Sequence, residues 1–172
     1  SKESSELFQK LLKETPWQHD SITLFGKTHP QPRLTAFYGA NDLSYSYSNI
    51  KMNANLWTPT LLELKNKVEN EAETAFNSVL LNLYRDGKDS NGWHADDEKE
   101  LGRNPIIASV NFGATRNFQL RHIETKEKID IDLSHGCLLI MQGELQHFWQ
   151  HQIPKTTKPV NERINLTFRV IK

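Results

Sequence analysis

The spacing of hydrophobic and polar residues changes near residue 76. Before this point, apolar residues recur at helical spacing in residues 4–14 and again from about Thr60 to Ala75. After it, short β-rich runs follow one another, separated by turn residues such as Asp86-Gly87 and Asn91-Gly92. We predict strands over 77–84, 105–112, 117–122, 129–133, 137–141, 146–151 and 163–171. Many short strands without an intervening helix indicate a sandwich or barrel, and an eight-stranded jelly roll is the natural candidate.

The first 75 residues are predicted to form an extension of this β core. The second helix should begin with a capping box of Thr60 and Glu63, directly after Pro59. Between the two helices, residues 15–34 are rich in proline and predict a loop, and residues 36–47 predict a hairpin. We therefore expect one compact, mainly β (α+β) domain, with an N-terminal extension over 1–75 and a jelly-roll core over 76–172.

Composition limits the expected cellular location of the protein more than it limits the expected function. The chain has 21 basic and 21 acidic residues, so its neutral net charge gives no global support for nucleic-acid binding. The single cysteine, Cys137, cannot form an internal disulfide, which favours a reducing, intracellular compartment. No apolar run approaches the roughly 20 residues that span a membrane, and the polar start does not resemble a signal peptide.

A metal site is the first chemistry that the sequence indicates. In His94-Ala95-Asp96, the two outer side chains would share one face if the segment is a strand, and could converge on one ion. Two histidines and one carboxylate form the facial triad typical of non-haem Fe(II) oxygenases. The third ligand could be any one of four histidines, because spacing alone does not select among His122, His135, His147 and His151. The simpler alternative for each histidine is an ordinary core or surface position.

The last strand predicts an anion site. Alternation in residues 163–169 places two arginines, Arg163 and Arg169, on one face with Asn165 and Thr167 between them, at most about 20 Å apart. If this face lies inside a jelly roll, the guanidinium groups need anionic partners, and a small dianion fits. The 77–84 strand likewise presents two polar groups side by side, Asn82 and Tyr84.

In combination, these motifs resemble the AlkB-type 2-oxoglutarate dioxygenases. The resemblance covers roughly residues 20–171, in the order of the family. The stretches ITLFGKTHPQPRLTAFYG and NSVLLNLYRDGKDSNGWHADDEKEL are most similar to the homologues that repair alkylated duplex DNA. The motifs that carry the resemblance are Asn82-x-Tyr84, His94-x-Asp96, His151 in His-x-x-Pro, and Arg163-x-Asn165-x-Thr167 with Arg169.

The resemblance implies a role for each matching residue. The Fe(II) ligands would be His94, Asp96 and His151. The resemblance thereby selects His151 over His147 as the third ligand. The residues that would bind 2-oxoglutarate are Asn82, Tyr84, Arg163, Asn165, Thr167 and Arg169. Of these, Arg163 would pair with the distal carboxylate, assisted by Tyr84.

The resemblance also implies a nucleotide-recognition lid within the N-terminal extension. Tyr45 and Tyr47, with Ser46 between them, match an aromatic pair that stacks on a flipped base. Phe25, Gly26 and Lys27 match a hydrophobic finger that fills the gap in a duplex. The remaining substrate contacts would be Arg33, Asp97 and Glu98.

The implied activity is the oxidative demethylation of N-alkylated bases such as 1-methyladenine and 3-methylcytosine. It would use Fe(II), 2-oxoglutarate and O2, and would release formaldehyde, succinate and CO2. The expected partner is alkylated double-stranded DNA, the expected state a monomer, and the expected location cytoplasmic in a bacterium or nuclear in a eukaryote. Three alternatives remain: the same chemistry on single-stranded DNA or RNA, a protein or small-molecule hydroxylase, and a non-catalytic jelly-roll binding module.

Overall fold

Two β-sheets form the core of the chain. The computed structural model describes residues 1–24, 26–40, 43–47 and 50–172. In chain order, the helices and strands are α1 (Lys2–Glu14), β1 (Ser21–Leu24), β2 (Lys27–Pro30), β3 (Leu34–Gly39), β4 (Ser44–Tyr47), β5 (Ile50–Asn53), β6 (Asn55–Leu56), α2 (Pro59–Ala72), β7 (Ser78–Tyr84), β8 (Asn91–His94), β9 (Ile107–Gly113), β10 (Arg116–His122), β11 (Lys128–Leu133), β12 (Cys137–Met141), α3 (Leu145–Phe148), β13 (Trp149–Ile153) and β14 (Arg163–Arg169). A short 3-10 helix, Lys99–Leu101, lies between β8 and β9.

The strand order confirms the predicted jelly roll. The larger sheet has the order β12-β9-β14-β7-β3-β6, and the smaller sheet has the order β11-β10-β13-β8. The eight strands from β7 to β14 divide equally between the two sheets, and all their pairings are antiparallel. One apolar cluster contains residues of both sheets, among them Leu80, Ile107, Phe118 and Ile153. The two sheets therefore pack face to face.

Alternation along β14 decides which side chains lie between the sheets. Ile164, Leu166 and Phe168 belong to a second apolar cluster, in which α1 and α2 cover the outer face of the larger sheet. Burying such side chains stabilises the fold by roughly 1.5–3 kcal/mol each. Because successive side chains of a strand point to opposite faces, Arg163 and its alternate neighbours point into the space between the sheets.

The predicted hairpin over 36–47 is wrong. β3 instead pairs antiparallel with β7 and parallel with β6, inside the larger sheet. Ala36, Phe37 and Tyr38 are all buried, and a continuous apolar run of this kind needs a strand that is covered on both faces. The hairpin in this region is formed by β4 and β5, and a further hairpin of β1 and β2 lies within the predicted loop of residues 15–34.

Both predicted long helices are present, but the start of α2 differs from the prediction. Thr58 is the N-cap, and its side chain accepts a hydrogen bond of 3.2 Å from the main-chain N–H of Leu61. Pro59 occupies the first turn, where its missing N–H is not needed. The predicted capping box of Thr60 and Glu63 is therefore wrong, because the helix begins two residues earlier than predicted. Among the described residues, no helix is long and apolar enough to cross a membrane.

The segment 146–151 was predicted as one strand and is divided in the structure. Its first half lies in α3, and β13 begins only at Trp149. On one continuous strand, His147 and His151 would point to the same face, because they are four residues apart. The break separates them: His147 lies on the short helix, whereas His151 lies on the strand.

Candidate metal and co-substrate site

Three side chains with metal-binding atoms meet between the sheets. His94 ends β8, His151 lies opposite it on β13, and Asp96 follows β8 by two residues. One donor atom from each residue lies within 4.8 Å of the others, and His94 Nε2 is 3.6 Å from Asp96 Oδ1. Two imidazoles and one carboxylate at this spacing can coordinate one ion.

Asp96 reaches this group without lying on a strand. The prediction that His94 and Asp96 share one strand face is therefore wrong, because β8 ends at His94. Two hydrogen bonds hold Asp96 instead: its main-chain N–H donates to Gln146 Oε1 at 2.8 Å, and its Oδ2 accepts from Arg169 Nη2 at 2.9 Å. Its Oδ1 is buried and has no hydrogen-bond partner among the described residues. That oxygen is available to a cation.

Neighbouring groups orient both imidazole rings. His94 Nδ1 lies 2.7 Å from the carbonyl oxygen of Gly92, so Nδ1–H donates and Nε2, which lies 3.5 Å from Asn91 Nδ2, carries the lone pair that can bind a metal. The His151 ring stacks on Phe118, with centroids 5.2 Å apart. Since the ring orientations are set before any ion binds, little side-chain freedom is lost on binding.

Burial and charge keep all three ligands in their metal-binding protonation states. Burial lowers the pKa of His94, and it lowers the pKa of His151 to about 4, so both rings are neutral at pH 7. Burial would raise the pKa of Asp96, but the positive charge of Arg169 and the hydrogen bond that it donates hold this pKa well below its ordinary value. Two neutral imidazoles and one ionised carboxylate, with Oδ1 unpartnered, fit a divalent iron ion.

A cavity beside the three ligands contains the polar face of β14. The cavity is lined by His94, Asp96 and His151 together with the six residues predicted to bind 2-oxoglutarate: Asn82, Tyr84, Arg163, Asn165, Thr167 and Arg169. The antiparallel register places Arg163 opposite Tyr84, and Asn165 opposite Asn82. Sequence reasoning found both polar faces, and the fold brings them side by side.

Two buried arginines line this cavity, and Arg163, unlike Arg169, has no carboxylate beside it among the described residues. It is 1% exposed, its guanidinium lies 4.9 Å from the centre of the Tyr84 ring, and its Nη2 donates to Asn111 Oδ1 at 2.5 Å. Its Nε and Nη1 are buried without a hydrogen-bond partner among the described residues. Burial lowers the pKa of Arg163, yet an arginine remains charged, so a carboxylate is the natural missing partner.

Sequence reasoning missed the polar residues that β9 adds to this site. Ser109 accepts a hydrogen bond of 2.7 Å from Asn165 Nδ2, and Asn111 accepts bonds from both Asn165 and Arg163. A signal was present: Ser109 and Asn111 alternate with Val110 and Phe112, as Arg163 and Asn165 do on β14. Gln146, which holds Asp96, had no such signal, because it lies on a four-residue helix.

The residues predicted to contact the substrate lie in different settings. Arg33 is buried and donates from Nε to Asn82 Oδ1 at 2.9 Å, so it adjoins the co-substrate cavity. Asp97 is exposed and Glu98 partly exposed, directly after the metal-binding aspartate.

The predicted lid residues are described only in part. Gly26 has a φ of 76° in the turn between β1 and β2, and Lys27 and Ser46 are exposed. Phe25 lies outside the described residues, as do the side chains of Tyr45 and Tyr47. The roles assigned to these residues stay predictions.

The other three candidates for the third ligand do not join the metal-binding group found among the described residues. His147 packs edge-on against Phe148, His122 stacks on Phe148, and His135 accepts a hydrogen bond from the main-chain N–H of Gly113. Of the four candidates for the third ligand, the geometry therefore selects His151.

Comparison with known proteins gives the same family. Residues 1–169 match the 2OG-Fe(II) oxygenase superfamily. The alpha-ketoglutarate-dependent dioxygenase alkB homolog 3 of Bos taurus is 47% identical over 99% of this chain, and the human protein of that name is 45% identical. The human DNA oxidative demethylase ALKBH2 is 38% identical over 98% of this chain and 69% of its own length. The chain spans 62% of the two alkB homolog 3 proteins.

Solved structures support the fold at much lower sequence identity. OsALKBH1 superposes with a TM-score of 0.67 at 14% identity, covering 98% of this chain and 92% of that one. An oxidoreductase of the 2OG-Fe(II) oxygenase family from Burkholderia pseudomallei gives a TM-score of 0.63 at 13% identity, covering 96% of this chain and 77% of that one. The geometry of the metal ligands agrees with the sequence matches along the whole length of the chain. The chain therefore belongs to the AlkB-type branch of the 2OG-Fe(II) oxygenase superfamily.

Proposed function

We propose that this chain removes N-methyl groups from alkylated nucleic-acid bases by oxidation, using Fe(II), 2-oxoglutarate and O2. One observation carries the proposal: the partly buried His94 and the buried Asp96 and His151 line the same cavity as the buried guanidinium of Arg163. Similarity to proteins named for alpha-ketoglutarate-dependent dioxygenation and DNA oxidative demethylation supports this substrate class. The expected substrates are lesions of the 1-methyladenine and 3-methylcytosine type.

One set of residues would hold the iron, and another would bind and orient 2-oxoglutarate. His94 Nε2, Asp96 Oδ1 and His151 would hold the iron, which supplies the oxidising power when O2 and 2-oxoglutarate are present. Arg163 would pair with the distal carboxylate of 2-oxoglutarate, beside Tyr84. Asn82, Asn165 and Arg169 would serve its other end, with Thr167 lining the site. Apolar side chains on the cavity wall, such as Phe118 and Met141, would help to exclude water during the reaction.

The overall reaction balances without a further reductant. 2-Oxoglutarate is oxidised to succinate and CO2, and the methyl group is oxidised and leaves as formaldehyde. One oxygen atom of O2 ends in succinate and the other in formaldehyde, and the base recovers its unmodified form.

We propose duplex DNA as the substrate form, and single-stranded DNA or RNA as the second candidate. The duplex proposal rests on the resemblance of the Phe25-Gly26-Lys27 segment to a hydrophobic finger, and on the exposure of β2 beside it. The second candidate is favoured by the zero net charge, because duplex affinity relies on contacts between basic residues and phosphates.

Turnover of one lesion in two strand contexts tests the substrate form. We expect Phe25→Ala to lower turnover of 1-methyladenine in a duplex by about 10-fold or more, since the finger would fill the gap left by the flipped base. The same variant should leave turnover in the single strand within about 2-fold, and Thr28→Ala on the exposed β2 strand serves as the matched control. Equal turnover by Phe25→Ala and wild type on the duplex would exclude the finger role.

A further inference from the structure

Gln31 is a buried polar side chain that the site described above does not use. It is 1% exposed, and both polar atoms of its carboxamide, Nε2 and Oε1, are buried without a hydrogen-bond partner among the described residues. A buried polar group in this state costs stability and is uncommon in native proteins. It therefore calls for an explanation in terms of a missing partner.

The main chain of Gln31 is fixed although its side chain is unpartnered. Its N–H donates to the carbonyl oxygen of Asp20 at 2.8 Å. Its own carbonyl oxygen accepts from Arg33 N–H at 2.8 Å and lies 2.8 Å from His19 Nε2. These contacts fix the main chain from which the carboxamide of Gln31 extends.

Gln31 lines a second cavity, which adjoins the co-substrate cavity at His94. This cavity has a volume of about 420 Å³, and its walls include Ile22, Arg33, Trp93 and Glu98. Such a volume lies within the range of small-molecule sites, which combine apolar walls with a few polar groups. Because His94 lines both cavities, a group held here lies next to the metal ligands.

We propose that Gln31 reads the polar edge of the alkylated base and favours adenine lesions over cytosine lesions. The inference rests on the proposed function. A carboxamide offers one N–H donor and one carbonyl acceptor side by side. The edge of adenine that carries N7 and N6–H₂ offers the complementary pair, and 3-methylcytosine has only its N4–H₂ donor in the equivalent place. Gln31 is thus a specificity-determining residue.

Gln31→Leu separates this role from a structural one, because leucine keeps the bulk but removes both polar atoms. The wild type and this variant are compared for kcat/KM on 1-methyladenine and 3-methylcytosine in the same oligonucleotide, and for Tm. We expect kcat/KM on 1-methyladenine to fall by about 10-fold or more, with less than about 3-fold change on 3-methylcytosine. Tm should stay the same or rise, because an unpartnered buried amide is removed. Gln18→Leu, at an exposed glutamine on the same segment, is the matched control.

Equal losses on both lesions, or no loss on either, would overturn the role of Gln31, as would a fall in Tm that accounts for the lost activity. A wild type that turns over neither lesion would contradict the proposed function instead. In that case, the Kd values of the two methylated oligonucleotides with the Mn(II)-loaded protein still decide: a preference for 1-methyladenine that Gln31→Leu abolishes supports the inference, and its absence overturns it.

Discussion

At the residue scale, the site depends on charges that are buried but arranged in advance. Asp96 remains ionised because Arg169 donates to one carboxylate oxygen, which leaves the other for a cation. Arg163 is held by Asn111 and Tyr84, which leaves two of its nitrogens for a carboxylate. Removing the charge of either residue would leave its partners unpaired, so conservative substitutions test their roles more sharply than alanine does.

Arg163→Lys should weaken 2-oxoglutarate binding while leaving the metal site intact. Lysine keeps the positive charge but loses the planar fork that grips a carboxylate at two points. We expect KM for 2-oxoglutarate to rise by about 10-fold or more, and the Kd for Fe(II), measured anaerobically by tryptophan fluorescence, to change by less than about 2-fold. Arg121→Lys, outside the cavity, is the control. An unchanged KM would contradict the assignment of Arg163.

At the element scale, the short helix α3 links the two parts of the metal site. It precedes β13, which carries His151, and its Gln146 accepts the hydrogen bond from the main-chain N–H of Asp96. One buried carboxamide therefore fixes the segment after β8 relative to the segment before β13. Groups that orient metal ligands in this way affect affinity strongly although they do not touch the metal.

Gln146→Ala should therefore weaken metal binding. We expect the Kd for Fe(II) or Co(II) to rise by about 10- to 100-fold. Gln142→Ala, at an exposed glutamine just before α3, should bind metal like the wild type. Equal metal affinity in the two variants would show that the 2.8 Å bond to Asp96 has no positioning role.

The turn between β7 and β8 depends on a buried carboxylate. Asp89 accepts hydrogen bonds from the main-chain N–H, the Nε and the Nη2 of Arg85. The buried side chain of Arg116 donates to the carbonyl oxygens of Asp86, Asp89 and Pro154, which ties this turn to the end of β13. The turn therefore helps to position the strand that ends in His94.

This arrangement predicts a pH-dependent contribution to stability. Burial would raise the pKa of Asp89, but the hydrogen bonds and charge of Arg85 lower it below its ordinary value of 3.8. A carboxylate with a lowered folded-state pKa stabilises the fold above about pH 4, and this contribution is lost as the pH falls further. We expect Asp89→Asn to lower the free energy of unfolding by about 1–3 kcal/mol at pH 7, and the difference to shrink toward pH 3. Urea unfolding at both pH values measures this. A difference that does not depend on pH would contradict the ion pair.

At the scale of the whole molecule, features that follow from alternation along one strand could be predicted from the sequence. Contacts between segments that are distant in sequence could not. Strict alternation on β14 and β7 was enough to expect an anion site facing the interior. The position of Asp96 was not predictable, because it depends on Arg169 and Gln146, which are distant in sequence. β3 was assigned to a hairpin because its partner, β7, lies about 40 residues away along the chain.

The whole-molecule account rests on the metal ligands, so the most direct test compares His151 with His147. Formaldehyde and restored adenine are measured with Fe(II), 2-oxoglutarate, O2 and a 1-methyladenine oligonucleotide. We predict that the wild type and His147→Ala release one formaldehyde for each base restored, and that His151→Ala loses activity by about 1,000-fold or more, since one ligand of the iron is missing. Undiminished turnover by His151→Ala, or loss of activity in His147→Ala alone, would contradict the account.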